Sequence, residues 1–232
     1  MKLEESEMEQ HHKNHIDTTV ENEIQVTISY QNKVFKLYLE DDEGKGPELE
    51  LNHEKLLHLI IVSEDLNEYL HLHPVQKNDQ AFEIDIVLTG HSYKAFVDIK
   101  PKRKNYTIKG ITVPTGDNID CHNMSTGLNI DKQGTKEING VIVEFQHDSF
   151  ETGKDIKLNF NIKNAIAEPY LGALGHVVII DEKVENFIHV HPISDESTLF
   201  QTQFDKPGLY KLWAEFKFDG EVTVYPYVIK VW

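Results

Sequence analysis

"HLIIVSEDLNEYLHLHP", residues 58–74, reads as a short apolar strand, a polar turn and a second strand in which two histidines alternate with leucines. A second copy, "HVVIIDEKVENFIHVHP", occupies residues 176–192; from residue 58 to residue 176 is an offset of 118, and the two align without a gap. The identical positions are His58/His176, Ile61/Ile179, Glu64/Glu182, His71/His189, His73/His191 and Pro74/Pro192. Apolar positions have exchanged Leu, Val and Ile as cores tolerate, whereas all three histidines are kept in both copies. Histidines that only filled strand positions would have drifted to Thr, Tyr or Val, which suit strands better.

Working outward, strand-length runs rich in β-branched and aromatic residues recur on both sides of this unit. In the first half they include "IQVTISY", "KVFKLYLE", "AFEIDIVL" and "SYKAFVDIK"; in the second, "GVIVEFQ", "DIKLNFNIK", "LYKLWAEFKF" and "VTVYPYVIKVW". Gly, Asn, Asp and Pro separate them, and no convincing helix interrupts. Roughly seven short strands per ~95 residues is the pattern of an immunoglobulin-like sandwich. The expected fold is therefore all-β, two tandem immunoglobulin-like β-sandwich domains. The expected boundaries are an acidic, His-containing mobile tail over 1–21, repeat 1 over 22–113, a Gly/Asn/Asp/Thr-rich linker over 114–135 and repeat 2 over 136–232.

Composition narrows the partners. Lys and Arg number 23 against 39 Asp and Glu, a formal net charge of −16, which repels phosphate backbones and draws cations. Nucleic acid is excluded on this ground. The single cysteine, Cys121, cannot form an intramolecular disulfide. No run of 18 apolar residues and no apolar signal segment occurs, so the expectation is a cytoplasmic protein as written, or an extracytoplasmic one if a signal peptide has been removed.

Strand geometry makes the histidines converge. His71 and His73, two residues apart, project from one face about 6.6–7 Å apart. In an antiparallel hairpin any odd-sum register, 58 with 71 or 58 with 73, sets His58 on that face too, with opposed Cβ atoms roughly 4.5–5.5 Å apart. Leu70 and Leu72 then face the core, as do Ile188 and Val190 in the copy, while Pro74 and Pro192 end the strand. Three neutral imidazoles with an open fourth position suit Zn²⁺, Cu or Ni. The candidate ligands of a transition-metal ion, Cu or Zn, are His58, His71 and His73 in repeat 1 and His176, His189 and His191 in repeat 2. His53, His91, His122 and His147 have no histidine counterparts in the other repeat and are read as ordinary. "HHKNH" in the tail is read as solvated polar chain and "CHNM" (121–124) as a loop. Glu64 and Glu182 are the repeated acids noticed near the histidines, and they read as turn residues.

The stretches 53–74 and 169–192, with the "G-x-Y-K" approach to a late strand, resemble bacterial YtkA-like immunoglobulin-type β-sandwich proteins. That resemblance implies a sandwich and points to a bound metal. No phosphate loop, nucleophile elbow or H-E-x-x-H helix is found. The expected function is thus non-enzymatic metal binding for storage, sensing or delivery. Two alternatives stand beside it: an interaction module in which the histidine faces meet a protein or each other, and a three-His metalloenzyme.

Overall fold

The computed structural model describes residues 21–89, 92–115, 127–190 and 192–232, and within them 17 β-strands and no helix. In the first half, β1 (Ile24–Gln31), β2 (Val34–Asp41), β7 (Ala81–Asp85) and β6 (Val75–Gln76) pair in that order into one sheet. The facing sheet runs β3 (Leu49–Glu50), β8 (Tyr93–Pro101), β4 (Leu57–Ser63), β5 (Tyr69–Leu72), with β9 (Ile111–Thr112) also on β8. In the second half, β10 (Thr135–Ile138), β11 (Val141–His147), β12 (Ile156–Ile162) and β15 (Leu199–Thr202) form one sheet. Its partner runs β14 (Phe187–Val190), β13 (His176–Asp181), β16 (Gly208–Phe218), β17 (Glu221–Val231). The chain is all-β, two tandem sandwiches.

Each sandwich has its own core, one around Phe35, Leu59, Phe82, Tyr93 and Val97, the other around Phe160, Val177, Phe200, Leu212 and Tyr227. A third core joins the halves: Ile60, Val62, Leu66, Phe96, Val178, Ile180, Val184 and Trp213. Successive residues of a strand point to opposite faces. Leu59 and Ile61 of β4 therefore enter the first core while Ile60 and Val62 enter the third, and β4 is buried along its whole length. β13 does the same with Val177 and Ile179 against Val178 and Ile180. The two histidine-bearing sheets thus lie back to back as the inner layers of a four-layer stack.

The contact is reciprocal. Tyr69 of repeat 1 stacks on Trp213 of repeat 2 with ring centroids 4.7 Å apart. Phe96 of repeat 1 stacks on Phe187 of repeat 2 at 5.2 Å. Tyr69 and Phe187 are equivalent in the repeat, as are Phe96 and Trp213, so the halves meet by an internal pseudo-two-fold, the isologous arrangement of a symmetric dimer built into one chain. The prolines mark sheet changes: β5 ends at Leu72, Pro74 follows, and β6 joins the other sheet of the sandwich. In repeat 2 Pro192 bridges to Phe200 of β15 in the same way.

Candidate metal centre

The β4–β5 register pairs Leu59 with Leu72 and Ile60 with His71. Continued by one position it sets His58 opposite His73, and the three histidines share a face. Leu70 and Leu72 pack against the first core. His58 is fully buried. Its Nδ1 lies 3.0 Å from His71 Nε2 and 3.1 Å from His73 Nε2.

The remaining ring nitrogens fix two tautomers. His58 Nε2 is 2.8 Å from the carbonyl oxygen of Asn52, which can only accept, so Nε2 carries the hydrogen and Nδ1 the lone pair. His71 Nδ1 donates to Glu215 Oε2 at 2.7 Å, leaving the lone pair on Nε2. With both rings neutral, two lone pairs face each other at 3.0 Å, which repels unless a cation sits between them. Neither His58 nor His73 readily takes up a second proton, because burial foremost, and the neighbouring imidazoles, push His58 down to about 4 and His73 to about 3. Tetrahedral coordination at Zn–N of about 2.05 Å would space ligand nitrogens about 3.3 Å apart, close to the separations found. The residues fit a metal ion.

A second group forms from His53, His176 and His189, whose ligand nitrogens lie within 4.8 Å of one another. His176 is fully buried and donates from Nε2 to the Tyr170 carbonyl at 2.9 Å, the counterpart of the His58–Asn52 bond. Its Nδ1 is buried with no hydrogen-bond partner. Burial and the adjacent His189 push His176 down to about 2, and burial pushes His53 to about 4. His189 Nδ1 donates to Asp98 Oδ2 at 2.6 Å. A glycine is needed just before His176, since a Cβ on Gly175 would sit 2.6 Å from the Phe216 ring and 2.7 Å from the Glu215 carbonyl oxygen.

The two carboxylates cross between the repeats. Asp98 pairs with His58 across β4–β8, and Glu215 with His176 across β13–β16, yet each accepts from the histidine of the other repeat. Both are buried, at 7% and 2% exposure. A carboxylate on the far nitrogen of a ligating imidazole orients the ring and raises its basicity. The triads are also adjacent: ring centroids of His58 and His189 are 5.4 Å apart and those of His71 and His176 6.0 Å, against 4.9–5.2 Å within the first triad.

Comparison with known proteins follows from this architecture. Residues 11–115 and 136–232 match the profile of a family described as a domain of unknown function, DUF8832. The chain belongs to the DUF8832 family. No curated protein matches the sequence. Solved structures similar to this DUF8832 chain include a two fibronectin type-III domain segment from chicken tenascin, 9% identical, covering 90% of this chain and 98% of that one, TM-score 0.26. The FN1–FN3 domains of chicken CNTN1 are 8% identical over 89% of this chain and 66% of theirs, TM-score 0.24. The BSP domain of a biofilm associated protein is 11% identical over 90% of this chain and 29% of its own, TM-score 0.25. The fold rests on the strands and cores themselves.

The expected sites meet this DUF8832 structure in different ways. His58, His71 and His73 come together within one repeat. His176 and His189 come together, while His191 lies outside the described residues, as do His91, "CHNM" and the "HHKNH" tail. His53, read as ordinary for want of a histidine counterpart, stands with His176 and His189. Among the described residues the second cluster therefore draws on both repeats, and the first is braced by Glu215 from the other. The histidine face is the buried contact between sandwiches. Asp98 and Glu215 were missed as repeated acids, although aligning "AFVDIK" with "LWAEFK" places one carboxylate on each otherwise apolar strand.

Proposed function

We propose that the protein binds transition-metal ions, Cu or Zn, through histidines held between its two sandwiches, and serves in metal storage, sensing or delivery rather than catalysis. The observation that carries this reading is the meeting of His58 Nδ1 and His71 Nε2 at 3.0 Å, with His73 Nε2 beside them and the other nitrogens of His58 and His71 committed to a carbonyl and a carboxylate. His73 supplies the third nitrogen, and His176, His189 and the repeat-equivalent His191 are the ligands in the second half. The resemblance to YtkA-like sandwiches supports the same reading, and the −16 net charge raises the local cation concentration. Asp98 and Glu215 are each engaged by a histidine, which suits orientation of ligands better than service as a general base. Calorimetric titration with Cu²⁺ and Zn²⁺, repeated with His58, His71 and His73 changed to Ala, tests the proposal. Saturable binding that the changes weaken supports it, and no saturable binding overturns it.

A structural reading has one observation in its favour. The His71–Glu215 and His189–Asp98 pairs fasten the two halves without any ion. On that reading a chelator leaves the melting temperature of the purified protein unchanged.

A further inference from the structure

We infer that the second metal site is completed across the interface by His53, so that two ions seated side by side form one two-metal centre that locks the sandwiches together. The inference rests on the metal-binding reading above and extends it to a ligand that the repeat does not contain.

His53 sits at the tip of a two-residue turn closed by the Asn52–Lys55 bridge, with φ of 46° at His53 and 62° at Glu54. Positive φ at both central positions is the type I′ turn. Repeat 2 has the same turn at Tyr170–Ala173, with φ of 52° at Leu171 and 78° at Gly172. The tips meet, since a Cβ on Gly172 would lie 3.7 Å from the Glu54 side chain. A non-glycine residue pays for the left-handed conformation, and an imidazole at this tip reaches repeat 2. Its ring centroid lies 5.0 Å from that of His176 and 5.2 Å from that of His189. The buried Nδ1 of His176, without a hydrogen-bond partner, is one nitrogen of this group.

The exchange is not returned. Leu171 occupies in repeat 2 the place that His53 has in repeat 1, so no imidazole comes to the first triad from the opposite turn. The two sites are therefore unequal. The first has ligands from repeat 1 alone, whereas the second draws on both repeats. Rings of the two triads are 5.4–6.1 Å apart, so two ions bound here are near neighbours, with no strand between them.

The test compares the full chain with His53→Asn, because Asn tolerates positive φ and keeps the turn while removing the imidazole. An unchanged circular dichroism spectrum and metal-free melting temperature are the folding control. The expected result with Zn²⁺ is two equivalents in the native chain, one of them weakened at least tenfold by His53→Asn while the other is unchanged. Loading the native chain with two equivalents of Cu²⁺ is expected to broaden or suppress the paramagnetic resonance signal relative to one equivalent, which does not depend on any variant. One equivalent only, or two unaffected by His53→Asn with magnetically isolated Cu²⁺, overturns the inference and leaves metal binding standing. No saturable binding overturns both.

Discussion

At the scale of single residues, two of the imidazoles are oriented by carboxylates that their own repeat does not supply. Glu215 fastens His71 from the opposite sandwich, and Asp98 fastens His189. Removing such an outer partner costs roughly 10–100-fold in metal affinity. Glu215→Gln, a change in repeat 2, is accordingly expected to weaken the site formed by His58, His71 and His73 in repeat 1 by that factor, as read by competition with a chromophoric chelator; an unchanged affinity would count against the crossed pairing. Buried neutral histidines also set an acid limit on the metal-free protein. Their folded values, about 4 for His53 and His58, about 3 for His73 and about 2 for His176, lie below the ordinary 6.5. Between 6.5 and those values the unfolded chain takes up more protons than the folded one, so stability is intact above about 6.5 and declines as pH falls toward 4. The urea midpoint of chelator-treated protein should drop between pH 7 and pH 4.5; a flat profile would mean that these rings are not buried as described.

At the scale of elements, β4 and β13 explain why the histidines are where they are. Both are buried on two faces, which is why "LIIV" and "VVII" are continuous apolar runs instead of alternating ones. That signal was legible in the sequence, and it distinguishes a strand sandwiched between two layers from one with a wet face. Alternation correctly assigned Leu70, Leu72, Ile188 and Val190 to the cores and set Tyr69 and Phe187 on the other face. It did not reveal what covered that face. Trp213, stacked on Tyr69 across the interface with Lys211 above its ring, anchors the contact. Lys211 in turn donates to the Leu66 carbonyl of repeat 1 at 2.6 Å. Trp213→Ala is expected to cost about 3–5 kcal/mol in urea unfolding. It should also weaken metal affinity, because it loosens the sheets that carry the ligands; a loss below 1 kcal/mol would show that the third core contributes little.

At the scale of the whole molecule, the third core and the crossed carboxylates make the two sandwiches one unit. Scanning calorimetry should show a single transition for the intact chain, in contrast to two independent domains on a linker. An ion bound only by the folded state adds stability by mass action, about 2.7 kcal/mol at a hundredfold excess over its dissociation constant. Saturating Zn²⁺ should therefore raise the transition temperature and a chelator should lower it. Two resolved transitions, or a metal effect confined to one of them, would mean that the interface does not couple the halves.

Strand periodicity, turn chemistry and the duplicated histidines were enough to determine an all-β tandem architecture and the convergence of His58, His71 and His73, because those follow from local geometry: a period of two along a strand and an odd register across a hairpin. The partnership of His53 with His176 and His189, and the reach of Asp98 and Glu215 into the opposite repeat, were decided only by the tertiary structure. They depend on how two separately formed sheets dock, and docking depends on the shape of both apolar faces together, which no spacing within either repeat encodes.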